Sequence, residues 1–433
     1  MPAPAISKGS DHFFVTTYEG NGGGQRVGKF VPFTDNGTID KSCIFNDDDS
    51  PELSRTPSGA GNRDTFTLSF WIKRCTIGSL QLIFQQGADV NNCTQLSFDS
   101  NDRFQYQQVD GGGNTDSLIS NRTFEDTSKF YHFVLAVDTT QATEANRVRM
   151  YVDGDEITSW NTANYPSQNT DTDMNTTTEF SIGRQLGATT AYSPDCYLAE
   201  VNYVDGTQYT PSTFGLTDTS TGRWIPKSLT GISYGTNGFR LEFANSAGQT
   251  IGDDTSGNGH DFTVSNLAVT DITTDSPTQN FATFDPLDSG NNAGATPGTA
   301  VLAEGNTRVT AGSNPSNWDQ YRTSKPLTSG KFYVEVTLTS LNTASYFGVI
   351  SKNQSIKNNG WYSDQKTGWS YDSTNGKTEN SNNGYISYGG ARSQGDVVGI
   401  AVDLDNGTLW FSENGTYPNS GNPATGANPA YSN

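Results

Sequence analysis

Residues 395–415, "GDVVGIAVDLDNGTLWFSENG", constrain the fold more than any other stretch. Two turn signals, Asp405-Asn406-Gly407 and Glu413-Asn414-Gly415, stand too close together to leave room for a helix. Gly takes positive φ angles at no steric cost and Asn tolerates them, so both triplets are read as hairpin turns. Before the first turn, Val398, Ile400, Val402 and Leu404 alternate with Val397, Gly399, Ala401 and Asp403, which is the period of a strand. The stretch is therefore expected to form a β-meander within a sandwich.

The same device recurs along the chain. "TFTLSFWIKR" (65–74) places Phe66, Leu68, Phe70 and Ile72 on one face. "KFYHFVLAVDTT" (129–140) sets Phe130, His132, Val134 and Ala136 against Tyr131, Phe133, Leu135 and Val137. "NRVRMYVDG" and "CYLAEVNYVDG" both end in Asp-Gly, a hairpin signal, and Ser100-Asn101-Asp102 is a further turn. Gly numbers 46, and Asn, Thr, Ser and Asp fill the gaps between apolar runs. These residues compete with a helical backbone for hydrogen bonds, whereas short strands and tight turns accommodate them. The expected class is all-β, with two sandwiches of antiparallel sheets in tandem behind an extended N-terminal arm.

Four segments follow. Residues 1–42, with the run Gly22-Gly23-Gly24 and little apolar periodicity, read as a docking arm. Residues 43–210 form the first sandwich, 211–300 a connector with short strands, and 301–433 the second sandwich.

Charge excludes one class of partner. The net charge of -20 repels phosphate backbones, so no nucleic-acid role is expected. The N-terminus lacks the charged and apolar regions of a signal peptide, and no apolar run is long enough to span a bilayer, so no membrane insertion is expected. The four cysteines, Cys43, Cys75, Cys93 and Cys196, show no metal-type spacing and no disulfide framework.

Residues 43–210 resemble the laminin-G-like, concanavalin A-like jelly-roll family. The resemblance rests on "TFTLSFWIKR", "FYHFVLAVDTTQATEANRVRMYVDG" and "YLAEVNYVDG". The second block resembles a SPRY domain on "GKFYVEV", "YFGVIS", "GWSYDSTNGK" and the 395–415 stretch. A SPRY domain continues with further strands where this chain ends at "GANPAYSN", which implies a piece of a longer gene product. "YEGNGGGQRVGKFVPF", "LSRTPSGAGNRDTFTLSFWIKR" and "DDTSGNGHDFTVSNLAVTDITTDSPTQNFAT" resemble segments of tail-fibre-like virion proteins of marine bacteriophages. This last resemblance implies a virion structural protein, made in the host cytoplasm and placed on the tail or head surface. Its implied role is that of a tail fibre or receptor-binding component that adheres to host-surface glycans or receptors. Other virion proteins would hold it through the arm, and it would assemble as a homo-oligomer, a trimer in many fibres. A head-decoration or head-fibre protein is the alternative, and a polysaccharide depolymerase the enzymatic rival.

Retaining glycoside hydrolysis needs two carboxyl groups about 5 Å apart, but the acidic run Asp153-Gly154-Asp155-Glu156 falls in an expected turn and reads as solvated. Neither Gly-x-Ser-x-Gly nor His-Glu-x-x-His occurs, and His132 reads as a packed structural residue. No catalytic residue, metal ligand or cofactor is assigned, and no enzyme is expected. Asp253, Asp254 and Asp261 in "GDDTSGNGHD" could offer oxygen ligands to calcium, but an Asx-turn loop is the preferred reading. For glycan or receptor binding, "NNGWYSDQKTGWSYD" offers Trp361, Tyr362, Asp364 and Gln365 as an aromatic shelf with hydrogen-bonding groups.

Overall fold

The computed structural model describes residues 37–187, 192–243, 249–291, 300–310, 319–341, 345–351, 353, 356, 368–374, 377–380 and 384–432. The chain divides into two compact units. One comprises Met1–Ala282 with Ala303–Arg308, the other Thr283–Leu302 with Val309–Asn433. The expected docking arm lies outside the described residues up to position 36.

In the first unit the described residues form two eight-stranded antiparallel sheets. The first sheet runs in the order Asp155–Glu156, Val148–Val152, Tyr131–Asp138, Thr65–Arg74, Cys196–Asp205, Ser42–Phe45, Ile272–Thr273, with Phe239–Leu241 also pairing to Cys196–Asp205. The second runs Trp160–Asn164, Gly113–Thr123, Arg103–Asp110, Asn92–Phe98, Gln81–Asp89, Glu179–Ile182, Glu52–Arg55, Thr263–Ser265. Side chains of the two inner faces interlock through aromatic rings. Phe70 meets Phe84 at 4.8 Å between centroids, and Phe104 meets Phe133 at 4.2 Å. Phe66, Leu68, Phe70 and Ile72, the face expected from period 2, are wholly buried in this core. All four cysteines are buried and free.

The short strands expected in 211–300 do not all stand apart from the first sandwich. Phe239–Leu241, Thr263–Ser265 and Ile272–Thr273 complete the two large sheets, and Gly215–Thr217 pairs with Trp224–Pro226 as a hairpin. These strands are only two or three residues long, so they exist because long neighbours offer open edges rather than through any pattern of their own. Nor does Asp205-Gly206 close a hairpin. The Asp205 carboxylate instead accepts the Asn62 and Asn237 backbone N–H groups at 2.8 and 3.0 Å and the Asn175 amide at 3.0 Å. It ties three distant loops to one strand end. Asp153-Gly154, by contrast, is the hairpin turn expected, with φ of 50° and 90°.

The second unit carries, among its described residues, a sheet ordered Lys331–Thr337, Val397–Asp403, Thr408–Glu413, Tyr431–Ser432, and another ordered Tyr346–Ile350, Gly368–Asp372, Lys377–Asn380, Gly384–Ser387. Val398, Ile400 and Val402 are buried with Leu409, Phe411 and Tyr371, and Leu404 packs against them. Gly407, with φ of 62°, closes the expected hairpin, while Asn406 hydrogen-bonds the Asp403 carboxylate at 2.8 Å from its amide. Among the described residues no helix is long and apolar enough to cross a membrane.

Candidate functional site

The expected glycan-binding residues Trp361, Tyr362, Asp364 and Gln365 lie outside the described residues. A different site is built on the first unit, on the face of the first sheet that points away from the core. Register places Trp71 of Thr65–Arg74 directly opposite His132 of Tyr131–Asp138. Their rings stack at 4.6 Å with 27° between planes. From far along the chain, the Gly215–Thr217/Trp224–Pro226 hairpin lays Trp224 near-parallel to His132 at 6.0 Å.

Hydrogen bonds lock this stack. The Trp224 indole N–H donates to His132 Nδ1 at 2.9 Å. An indole nitrogen is only ever a donor, so Nδ1 is bare and the ring proton sits on Nε2, which donates to Ser69 Oγ at 2.9 Å. Burial pushes His132 down to about 3, so the imidazole stays neutral at ordinary pH. It is a wall element rather than a proton carrier, in line with the structural reading of this residue.

Glycine makes room for Trp224. A Cβ on Gly154 would lie 2.6 Å from the indole, and one on Gly215 would lie 2.5 Å from it. Gly154 also holds φ of +90°, a conformation side chains rarely adopt. The hairpin turn beside it contributes Asp153, whose Oδ1 accepts the His132 backbone N–H at 2.9 Å and whose Oδ2 accepts Lys129 Nζ at 3.0 Å. Glu156 of the same acidic run is paired with Arg149. The run 153–156 is thus engaged in structure, and its carboxylates form no isolated pair.

On another side the loop 275–281 is pinned to the sheet by a fully buried cation. Lys73 Nζ donates to Asp275 Oδ2 at 2.9 Å, to the Phe281 carbonyl at 3.0 Å and to Asn280 Oδ1 at 3.2 Å. The Asn280 amide nitrogen in turn donates to the Ser128 carbonyl at 2.8 Å. Between these elements lies a depression of about 210 Å³, walled by Trp71, Trp224 and Phe130 and edged by Asp153, Lys129, Arg223 and Asn280. Apolar faces with a few convergent polar groups are the usual composition of a small-molecule site.

A second depression, about 360 Å³, contains Glu200 and Arg240. Glu200 sits at a β-bulge with φ of 50°, and its carboxylate accepts Arg240 Nε at 2.6 Å. Burial raises the Glu200 carboxyl while Arg240 opposes the rise. The 253–261 loop closes on itself: Asp254 accepts the backbone N–H groups of Arg240, Ser256 and His260, and Asp261 accepts that of Asp254. Among the described residues no group of three or more His, Cys, Asp and Glu side chains is arranged to hold a metal.

Strand alternation alone places Trp71 and His132 on their strands without the register that joins them, and assigns Trp224 no role. The Asp153-Gly154 signal was the one visible hint, since a Gly fixed in a turn lets another ring approach its backbone.

Known proteins resemble the chain in two stretches. Residues 48–207 match a laminin G model of the concanavalin A-like lectin/glucanases superfamily, and residues 331–423 match the SPRY domain. Among solved structures, the heptameric SAP-like pentraxin of Limulus polyphemus is 17% identical over 40% of this chain and 78% of its own, with a TM-score of 0.30. A putative carbohydrate binding protein of Bacteroides ovatus is 16% identical over 55% of this chain and 60% of its own, at 0.35. Domains LG4-5 of the mouse laminin alpha1 chain are 13% identical over 93% and 83%, at 0.32. No curated protein matches the chain. The chain thus carries a laminin-G-like, concanavalin A-like domain followed by a SPRY domain.

Proposed function

We propose that this protein is a glycan-binding adhesion module and not an enzyme, with the depression beside Trp71 and Trp224 as its sugar site. One observation carries the reading: two indoles, held by a neutral histidine and two glycines, wall a small hollow edged by charged and amide groups. Pyranose rings present an apolar C–H face to such aromatic walls, while carboxylate, amide and guanidinium groups take their hydroxyls. The lectin-bearing superfamily that residues 48–207 match supports the same class. The groups there that could move a proton are already committed to structure: His132 has both nitrogens bonded, and Asp153 is paired with Lys129. Such a site is suited to holding a ligand rather than to moving protons.

In its biological setting we read the module as part of a bacteriophage virion, a tail-fibre or receptor-binding component that adheres to the host surface. The sequence resemblance of segments 18–33, 53–74 and 253–283 to phage fibre proteins supports this part. On that reading the arm before residue 43 docks on other virion proteins and the subunit assembles as an oligomer.

The test is a glycan array with the full chain, the Trp224→Ala variant alongside. Saturable binding of a defined glycan set by the wild type, lost in Trp224→Ala while unit-resolved hydrogen exchange stays unchanged, is the expected result. A chain that retains no glycan, or binding that survives the substitution, removes the assignment. Release of reducing ends from a bound polysaccharide would instead point to catalysis.

A further inference from the structure

The charges around the depression are uneven in a way that selects among sugars. Three charged side chains line it, Lys129, Asp153 and Arg223. Asp153 is engaged on both oxygens, by Lys129 Nζ and by the His132 backbone N–H. Arg223 is exposed, and among the described residues its guanidinium has no ion-pair or hydrogen-bond partner. One cation is therefore unmatched beside two indole walls, on a chain whose net charge is -20.

An unmatched guanidinium on an acidic protein is a local attractor for anions, because the hollow's low-dielectric walls focus its field. Guanidinium forks pair with carboxylates through two parallel hydrogen bonds, a geometry that ammonium groups do not offer. The hollow is also small. At about 210 Å³ it falls below the roughly 300–1,000 Å³ of pockets that enclose drug-sized ligands. It accommodates a single ring, not a buried oligosaccharide.

We infer that the site takes one acidic sugar unit, a carboxylate-bearing pyranose whose ring lies against the partly exposed Trp224 indole, with buried Trp71 behind it, while its carboxylate pairs with Arg223. This rests on the sugar-binding reading above and narrows it to a substrate class. Lys129 is offset by its ion pair with Asp153, which leaves Arg223 as the primary partner.

The experiment titrates the full chain with matched methyl glycosides of glucuronic acid and of glucose, which differ only in the carboxylate. Binding is followed by tryptophan fluorescence and by saturation-transfer NMR. A hydrogen bond to a charged group adds enough to favour the glucuronide roughly tenfold or more at low salt. Arg223→Met is expected to bring the glucuronide down to the affinity of the glucoside, and Arg223→Lys to restore part of the gap. Equal affinities in the wild type overturn the acidic-sugar inference and leave the sugar-binding reading standing. So does a gap that persists in Arg223→Met. Array binding of neutral glycans with no response to either methyl glycoside also overturns the inference, whereas the absence of any glycan binding removes the reading on which it rests.

Discussion

The two faces of the Thr65–Arg74 strand are both buried, but by different means. On the inner face Phe66, Leu68, Phe70 and Ile72 are packed against apolar side chains of both sheets, and a polar group enters only at the strand's end, where buried Arg74 pairs with Asp102 at 2.8 Å. On the outer face Thr67 donates to the Thr207 carbonyl at 2.7 Å, Ser69 meets His132 at 2.9 Å, Trp71 stacks on His132, and Lys73 clasps Asp275 at 2.9 Å. The inner face tolerates exchange of one apolar group for another of similar volume. The outer face depends on individual partners, because a buried polar group that loses its partner bears the full desolvation penalty. That specificity is also what shapes the hollow: the partners that satisfy this face are the walls of the site.

The largest effect is expected from emptying the inner face. Phe70→Ala should destabilise the first unit by about 3–5 kcal/mol, since Phe70 touches Phe84, Phe104 and Phe133. Urea denaturation read by tryptophan fluorescence measures it, and a loss below about 1 kcal/mol would undo the contrast between the faces. On the outer face Lys73→Ala should cost a similar amount by stranding buried Asp275. The double variant Lys73→Met/Asp275→Leu should recover part of that loss, because it removes the stranded charge but still forgoes the bonds to the Phe281 N–H and carbonyl. If the double variant is worse than the single one, the pair is not the source of the cost.

Acid sharpens the comparison further. His132 is held near 3 in the folded chain against about 6.5 when unfolded. The unfolded state therefore binds more protons between those values, so this contribution is intact above pH 6.5 and is lost as pH falls toward 3. Its slope approaches about 1.4 kcal/mol per pH unit. Asp195 works in the opposite sense, because burial raises its carboxyl to about 7 and its contribution fades as pH rises from about 4 toward 7. A His132→Gln variant should flatten the acid limb of the stability profile. An unchanged acid limb would show that the imidazole is not the titrating group.

Smaller still is the effect expected in the second unit. Gly407→Val places a β-branched residue at φ of 62° and should cost roughly 1–2 kcal/mol. Hydrogen-exchange protection should fall across residues 395–415 and stay unchanged around Trp71. Loss in both places would mean that the units do not unfold separately. Last, reductant should leave the melting temperature of the chain unchanged, since the cysteines are free. A drop would reveal a bridge.

Much of the fold is written locally. Alternation with period 2 marks Thr65–Arg74, Tyr131–Asp138 and Val397–Asp403, and Asp153-Gly154 and Gly407 mark their turns, because side-chain direction in a strand and the sign of φ are properties of neighbouring residues. Asp205-Gly206 misleads for the same reason. The dipeptide is compatible with a hairpin, yet the carboxylate meets Asn62, Asn175 and Asn237, which no local window contains. The expected site residues 361–365 were drawn from one local cluster of aromatic and polar residues. The hollow, by contrast, is assembled from scattered segments.

By itself, then, the sequence determined the class, the faces of the long strands and the places where the chain turns. The tertiary structure decided what covers the outer face of the first sheet. Lys73 and Asp275 lie 202 residues apart and His132 and Trp224 lie 92 apart. Strand periodicity says only that a side chain points out of the sheet. Whether it then meets solvent, an ion-pair partner or another indole depends on which distant segment crosses that face, and so the Trp71–His132–Trp224 wall exists only in the folded chain.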